Sequence, residues 1–210
     1  MEETLNVKTP VLFDDSANLY EIHSHQPYAT STFNNSDEIH IAIQHQDHCL
    51  LPSRSSIYIQ GKLLKADGTA VARTRFVNNG ICHLFSEIRY ELNAEVINRF
   101  KNVGITTLMN GYPSYTPNQT IYLENAVWLS NYANQTIVDG GGNFDVVIPL
   151  STCLGFAEAY KKIFVNMKHE VVLTRSNNDT NAIIGTGAQE DVQVTLTKIE
   201  WLMRDKYFPM

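Results

Sequence analysis

Histidine is the residue type whose spacing in this chain first suggests chemistry. Ile22-His23-Ser24-His25 is an H-x-H pair, and His40 is followed by His45-Gln46-Asp47-His48. Two imidazoles two positions apart on a strand share one face, an arrangement that can present both to a metal ion. This pattern departs from a metal site, because no Glu follows His25 at short spacing, no Gly brackets it, and Pro27 sets the pair in irregular chain. Solvated loop histidines are therefore the expectation. Cys82 and His83 are adjacent, and neighbours on a helix diverge, so they do not form a nucleophile–base pair. Cys82 and Cys153 are expected to be buried structural thiols.

Other catalytic patterns are missing. No G-x-S-x-G elbow, GxGxxG turn or phosphate-binding P-loop occurs. Asp139-Gly-Gly-Gly-Asn143 is glycine-rich but leads into a strand, so it lacks the helix N-terminus that would hold a phosphate; it is expected to be a flexible joint. Glu87 and Glu91 flank Arg89 at alternate positions, as on a solvated mixed-charge face or on a face that meets a neighbouring subunit. No catalytic, metal or cofactor-binding residue is assigned, no cofactor is expected, and the chain is not expected to be an enzyme.

The elements that would position these residues are those of a β protein. The 210 residues carry 43% hydrophobic, 18% charged and 10% aromatic residues, enough for one large core. The formal charge is −6 without a basic cluster, which argues against direct nucleic-acid binding. Three widely spaced cysteines fit reduced thiols in an intracellular setting, cytoplasmic or nuclear. The N-terminus lacks the charged and apolar regions of a secretory signal, and no apolar run is long enough to span a membrane. The sequons at Asn34, Asn118, Asn134 and Asn178 are read as loop composition.

Strict alternation predicts strands over 38–44, 56–65 and 143–150, with Ile39, Ile41, Ile43, Ile57, Ile59 and Leu63 inward. Strands are also expected over 73–77, 165–175 and 192–202, the last with a bulge near Lys198. Asn78-Asn79-Gly80-Ile81-Cys82-His83-Leu84-Phe85 has helical spacing, and Ile88, Tyr90 and Leu92 then alternate, so the boundary between helix and strand is placed at Ile88. Asn93-Ala94 predicts a hairpin turn, with a short return strand over 95–98. Residues 101–120 read as a long loop, 121–132 as a short helix and 151–158 as a helical turn. The domain reading is an extended N-terminal arm over 1–37, a domain over 38–203 and a tail over 204–210. The fold class expected is all-β, a single jelly-roll sandwich of about eight strands with short helical turns in the connections.

Four segments resemble the double jelly-roll major capsid proteins of polinton- and adintovirus-type elements and their animal-genome copies. They are Asn78–Asn93 with Ile81, Leu84, Phe85, Ile88, Tyr90 and Leu92; Arg99–Thr106; Val147–Leu150 through Leu154–Glu158 to Tyr160–Ile163; and Val194–Trp201. The resemblance covers about residues 38–202 and corresponds to the first jelly roll only. Ala94 stands where the family pattern has Gly. The resemblance implies a non-enzymatic, self-assembling shell protein of a virion or virus-like particle. Its partners would be further copies of itself, as a trimer or a six-fold ring of jelly rolls, together with a second jelly-roll chain or a minor capsid protein. The expected subunit interface comprises Pro10, Phe13, Tyr20, Tyr28 and Phe33 of the arm and Tyr112, Tyr115 and Pro117 of the following long loop, because exposed aromatics favour interfaces. Two alternatives stand beside it. One is a carbohydrate-binding jelly roll using Tyr112, Tyr115, Trp128 and Tyr132 as stacking platforms; the other is a cupin-like metalloenzyme using the histidines.

Overall fold

The computed structural model describes residues 19–28, 32–44, 49–129, 137–185 and 190–207. Alternation sets the strands. In β2 (Glu38–Ile43) the three isoleucines are buried while Glu38 is exposed and His40 and Ala42 are half-buried. In β4 (Ser56–Lys65), Ile57, Ile59 and Leu63 point inward, and Gly68 closes the turn that follows at φ +81°. β6 (Phe85–Leu92) buries Ile88, Tyr90 and Leu92, then returns as β7 (Glu95–Lys101). Their two-residue connection holds Asn93 at φ 50° and Ala94 at φ 66°, a type I′ turn that matches the twist of the strands.

The remaining long strands are β1 (Leu19–His25), β8 (Asn143–Pro149), β10 (His169–Arg175) and β12 (Val192–Tyr207). They complete two facing antiparallel sheets, one running β1-β12-β4-β8 and the other β2-β10-β6-β7. Among the described residues there are eight long strands, and successive ones cross between sheets except at the β6–β7 hairpin, which makes the sandwich a single jelly roll. Short β3 (Cys49–Leu50) pairs with the end of β12 and β9 (Phe164–Val165) pairs with β3, extending the first sheet, and β5 (Thr74–Phe76) pairs with β11 (Ile183–Gly185). Between the sheets lies one apolar core, in which Trp201, Tyr90, Phe164 and the β2 isoleucines are among the largest fully buried side chains.

Several elements differ from the sequence reading. Residues 19–25, read as part of an extended arm, form β1, held by a register that runs from Leu19↔Tyr207 to His25↔Trp201. Residues 204–207, read as tail, continue β12 to meet it. The expected strand over 165–175 is broken by Asn166 at φ 55°, so Phe164–Val165 joins one sheet and His169–Arg175 the other. The helix of the Asn78–Phe85 stretch is a single turn, α1 (Gly80–His83), and the strand begins at Phe85, three residues before the expected boundary. The bulge in β12 falls between Leu196 and Lys198, as expected. Asp139-Gly-Gly-Gly-Asn143 is a closed turn: the Asp139 carboxylate accepts hydrogen bonds from the backbone N–H of Gly141 and Asn143 and from Asn143 Nδ2, at 2.8–3.2 Å. It is not a loose joint.

The largest difference lies in 101–120, which is helical. α2 (Val103–Ser114) and α3 (Pro117–Tyr122) occupy the connection from β7 to β8, followed by a 3-10 turn over Glu124–Ala126. The expected helix over 121–132 is thus confined to Ile121 and Tyr122 at the end of α3 and to that turn, with residues 130–132 outside the described residues. After β8, α4 (Leu150–Cys153) and α5 (Gly155–Ala159) supply the expected helical turns.

Candidate interaction surface

α2 begins where Asn102, at φ 51°, turns the chain out of β7. Its sequence is poor in helix formers, and what holds it is tertiary contact. Gly104 lies against the ring of His83 and Gly111 against that of Trp128; a Cβ at Gly111 would stand 2.2 Å from Trp128 Cη2. Asn79 donates through Nδ2 to Thr107 Oγ1. Asn78 accepts from the Leu129 N–H at 2.7 Å and donates to the Tyr112 hydroxyl at 3.1 Å. The two asparagines before α1 thereby pin both ends of the helical connection to the sandwich.

With its inner side fixed, α2 presents Ile105, Met109 and Tyr112, spaced i, i+4, i+7, to solvent at 52%, 72% and 67% exposure. α3 adds exposed Ile121 and Tyr122. Surface apolar residues are more often scattered singly, so this run makes the helical face a candidate interaction surface.

The expected interface residues fall in different settings. Tyr112 and Pro117 are exposed on this helical connection, and Tyr115 is half-buried with its ring edge-on to Trp128 at 5.2 Å. Tyr20 is exposed on β1. The Tyr28 ring is exposed, but its hydroxyl is committed to Glu170 at 2.7 Å. Phe33 packs against the core. Pro10 and Phe13 lie outside the described residues. Ile105, Met109, Ile121 and Tyr122 were missed, since their i, i+4 signal was masked by the surrounding Gly, Asn and Pro.

The Trp128 ring is buried against Tyr112 and the half-buried Tyr115, so Trp128 offers no open stacking face, while Tyr112 stays exposed; Tyr132 lies outside the described residues. Among the described residues no cluster of three His, Cys, Asp or Glu side chains could hold a metal, and His45, Asp47 and His48 lie outside them. His23 instead faces Glu21 at 3.2 Å and His40 faces Glu170 at 3.0 Å. Cys82 and Cys153 are both buried with sulfurs 3.9 Å apart, and the Cys153 sulfur together with burial holds the Cys82 thiol well above its ordinary range.

On the outer face of the second sheet Arg89 donates to Glu91 at 2.6 Å, Glu38 at 3.1 Å and Glu87 at 3.3 Å, and Arg99 donates to Glu87 at 2.6 Å. Beside this network burial would push Glu170 up, but hydrogen bonds from His40, Tyr28 and Lys168 outweigh it and hold the carboxyl at about 2. The same bond to Glu170 raises Tyr28 to about 12. These charges are matched within the chain, across β2, β10, β6 and β7. Partly exposed pairs of this sort add little stability, though they fix strand register.

Two antiparallel sheets in this order, joined by helical connections, define a single jelly-roll sandwich. A profile of the double jelly roll-like domain matches residues 74–207, and the chain belongs to that family. Among solved structures the chain is similar to the mavirus major capsid protein (TM-score 0.58, 11% identity, 100% of this chain and 50% of that one). It is also similar to a chain of the Sputnik virophage (0.58, 11%, 98% and 51%) and to the Faustovirus major capsid protein (0.55, 9%, 99% and 57%). The chain therefore spans about half the length of these proteins. No curated protein sequence matches it.

Proposed function

We propose that the protein is a capsid-like structural subunit, equivalent to the first jelly roll of a double jelly-roll major capsid protein, and that it works by assembly and not by catalysis. The observation that carries this reading is the apolar face of α2 and α3, rigidly pinned to the sandwich yet open to solvent. Membership of the double jelly roll-like family supports it, as does the likeness of the fold to half of several viral major capsid proteins. The charged face of the second sheet is satisfied within the chain and asks for no partner, so the contact is assigned to the helical face, with Tyr112, Tyr115 and Pro117 in it and Tyr20 at a further edge. Its partners are copies of itself, in a trimer or six-fold ring, or a second jelly-roll chain beside it. Among the described residues no helix is long and apolar enough to cross a membrane.

Static light scattering with negative-stain microscopy tests the reading. Ring- or shell-like particles of uniform size are expected as concentration rises. A monomer under all salt and pH conditions contradicts it.

A further inference from the structure

One cavity of about 600 Å³ lies on the outer side of the first sheet, between β1, β12, the 3-10 turn at Pro52–Arg54, and the helices that follow β8. Its charge runs against that of the chain. Arg54, Lys161 and Arg204 all line it, with a single carboxylate, Glu158, among them. Elsewhere Arg89, Arg99, Lys168, Arg175 and Lys198 each meet a carboxylate within 3.3 Å, and Lys62 and Lys101, which have no ion pair among the described residues, stand apart and line no cavity with other cations. Among the described residues the three cavity cations meet none at ion-pair distance. The chain as a whole carries −6, so three cations left unmatched around one cavity are not explained by the need to neutralise its own surface.

Two hydroxyl groups and an aromatic ring join them, with apolar Leu51 and Ala157 completing the lining. The hydroxyls of Ser53 and Ser151 line the same cavity, and the Tyr20 ring, 47% exposed, forms a wall with the Arg204 guanidinium 5.7 Å from its centroid. Guanidinium groups match the paired oxygens of a phosphate, an ammonium adds a point charge, and a concave wall concentrates the field between them. The volume exceeds that needed by an inorganic ion and suits a small organic molecule. An exposed aromatic wall suits a flat ring.

We propose that this cavity binds a small organic phosphate of nucleotide size, its phosphate held by Arg54, Lys161 and Arg204 and its ring against Tyr20. The site shares only Tyr20 with the proposed subunit contacts and lies apart from the helical face that carries the assembly reading, so its failure would leave that reading untouched.

Isothermal titration calorimetry of the 210-residue chain tests it, with AMP, pyrophosphate and adenosine as probes. Saturable one-site binding of AMP and pyrophosphate is expected, each displacing the other, with no binding of adenosine. Arg54→Gln and Lys161→Gln, both at exposed positions, are each expected to weaken AMP at least about tenfold without changing the denaturation midpoint. They keep the test valid if the half-buried Arg204→Gln does not fold. Absence of saturable binding, equal binding of adenosine, or unchanged affinity in both variants would overturn the assignment. A single-stranded oligonucleotide binding far more tightly than AMP would overturn the small-molecule class.

Discussion

Acidification should destabilise this jelly roll through one residue, His169. Its imidazole is fully buried at the start of β10, shares a 2.6 Å hydrogen bond with the Tyr90 hydroxyl through Nδ1, and stands edge-on to Phe164 at 5.2 Å. Nε2 has no hydrogen-bond partner among the described residues. Among the described residues no carboxylate pairs with the ring, and burial lowers its pKa from the ordinary 6.5 to about 4. The folded state therefore resists a proton that the unfolded chain accepts. Stability is complete above about pH 6.5 and is lost as the pH falls toward 4. At roughly 1.4 kcal/mol per pH unit the full loss is about 3 kcal/mol, of which about 2 kcal/mol is gone by pH 5. Glu170 acts in a lower window: its depressed pKa contributes stability above about 4.5 that is lost only as the pH falls toward 2. Urea denaturation at half-unit steps from pH 7.5 to 4.5, on the wild type and His169→Phe, measures the effect. The variant is less stable at pH 7, having lost the bond to Tyr90, but its curve flattens. Only the weaker slope from His83, whose pKa burial also lowers, should remain. Parallel curves for the two proteins would refute the reasoning.

Three further outcomes follow from the packing. Ala94→Gly should raise stability by about 1 kcal/mol in thermal denaturation, because Ala94 sits at φ 66° in a turn where Gly carries no Cβ penalty. Gly111→Ala should cost about 1–3 kcal/mol and shift tryptophan emission, since the new Cβ collides with Trp128. Arg175→Met should cost about 3–5 kcal/mol, because the buried guanidinium serves the Leu84 carbonyl at 2.8 Å and the Asp179 carboxylate at 2.9 Å, and its loss leaves Asp179 unpaired.

The parts of this fold legible in the sequence are those whose structure is decided locally. β4 matches its expected bounds because Ile57, Ile59 and Leu63 keep one face, with Gly61 at the inward position between them, up to a glycine turn. The bulge in β12 was readable because the apolar face changes parity between Leu196 and Ile199. β1 was not readable: its residues alternate aromatic, acidic, aliphatic and imidazole groups, and the strand exists because β12 offers it an edge. α2 was not readable for the same kind of reason. Gly104 and Gly111 look like loop residues, yet each is the small contact that lets a neighbouring ring close against the helix. The candidate surface inherited this blindness, so Tyr112 and Pro117 were found by their type while Ile105 and Met109, which need a helix to form a face, were not.

Sedimentation velocity on the wild type and on the double variant Ile105→Asp, Met109→Asp tests the central claim most directly. Both positions are solvent-exposed, so the variant should fold with an unchanged circular dichroism spectrum and denaturation midpoint. The account predicts concentration-dependent oligomers for the wild type and a monomer for the variant. Oligomers that persist in the variant, or a wild type that stays monomeric at every concentration, would contradict it.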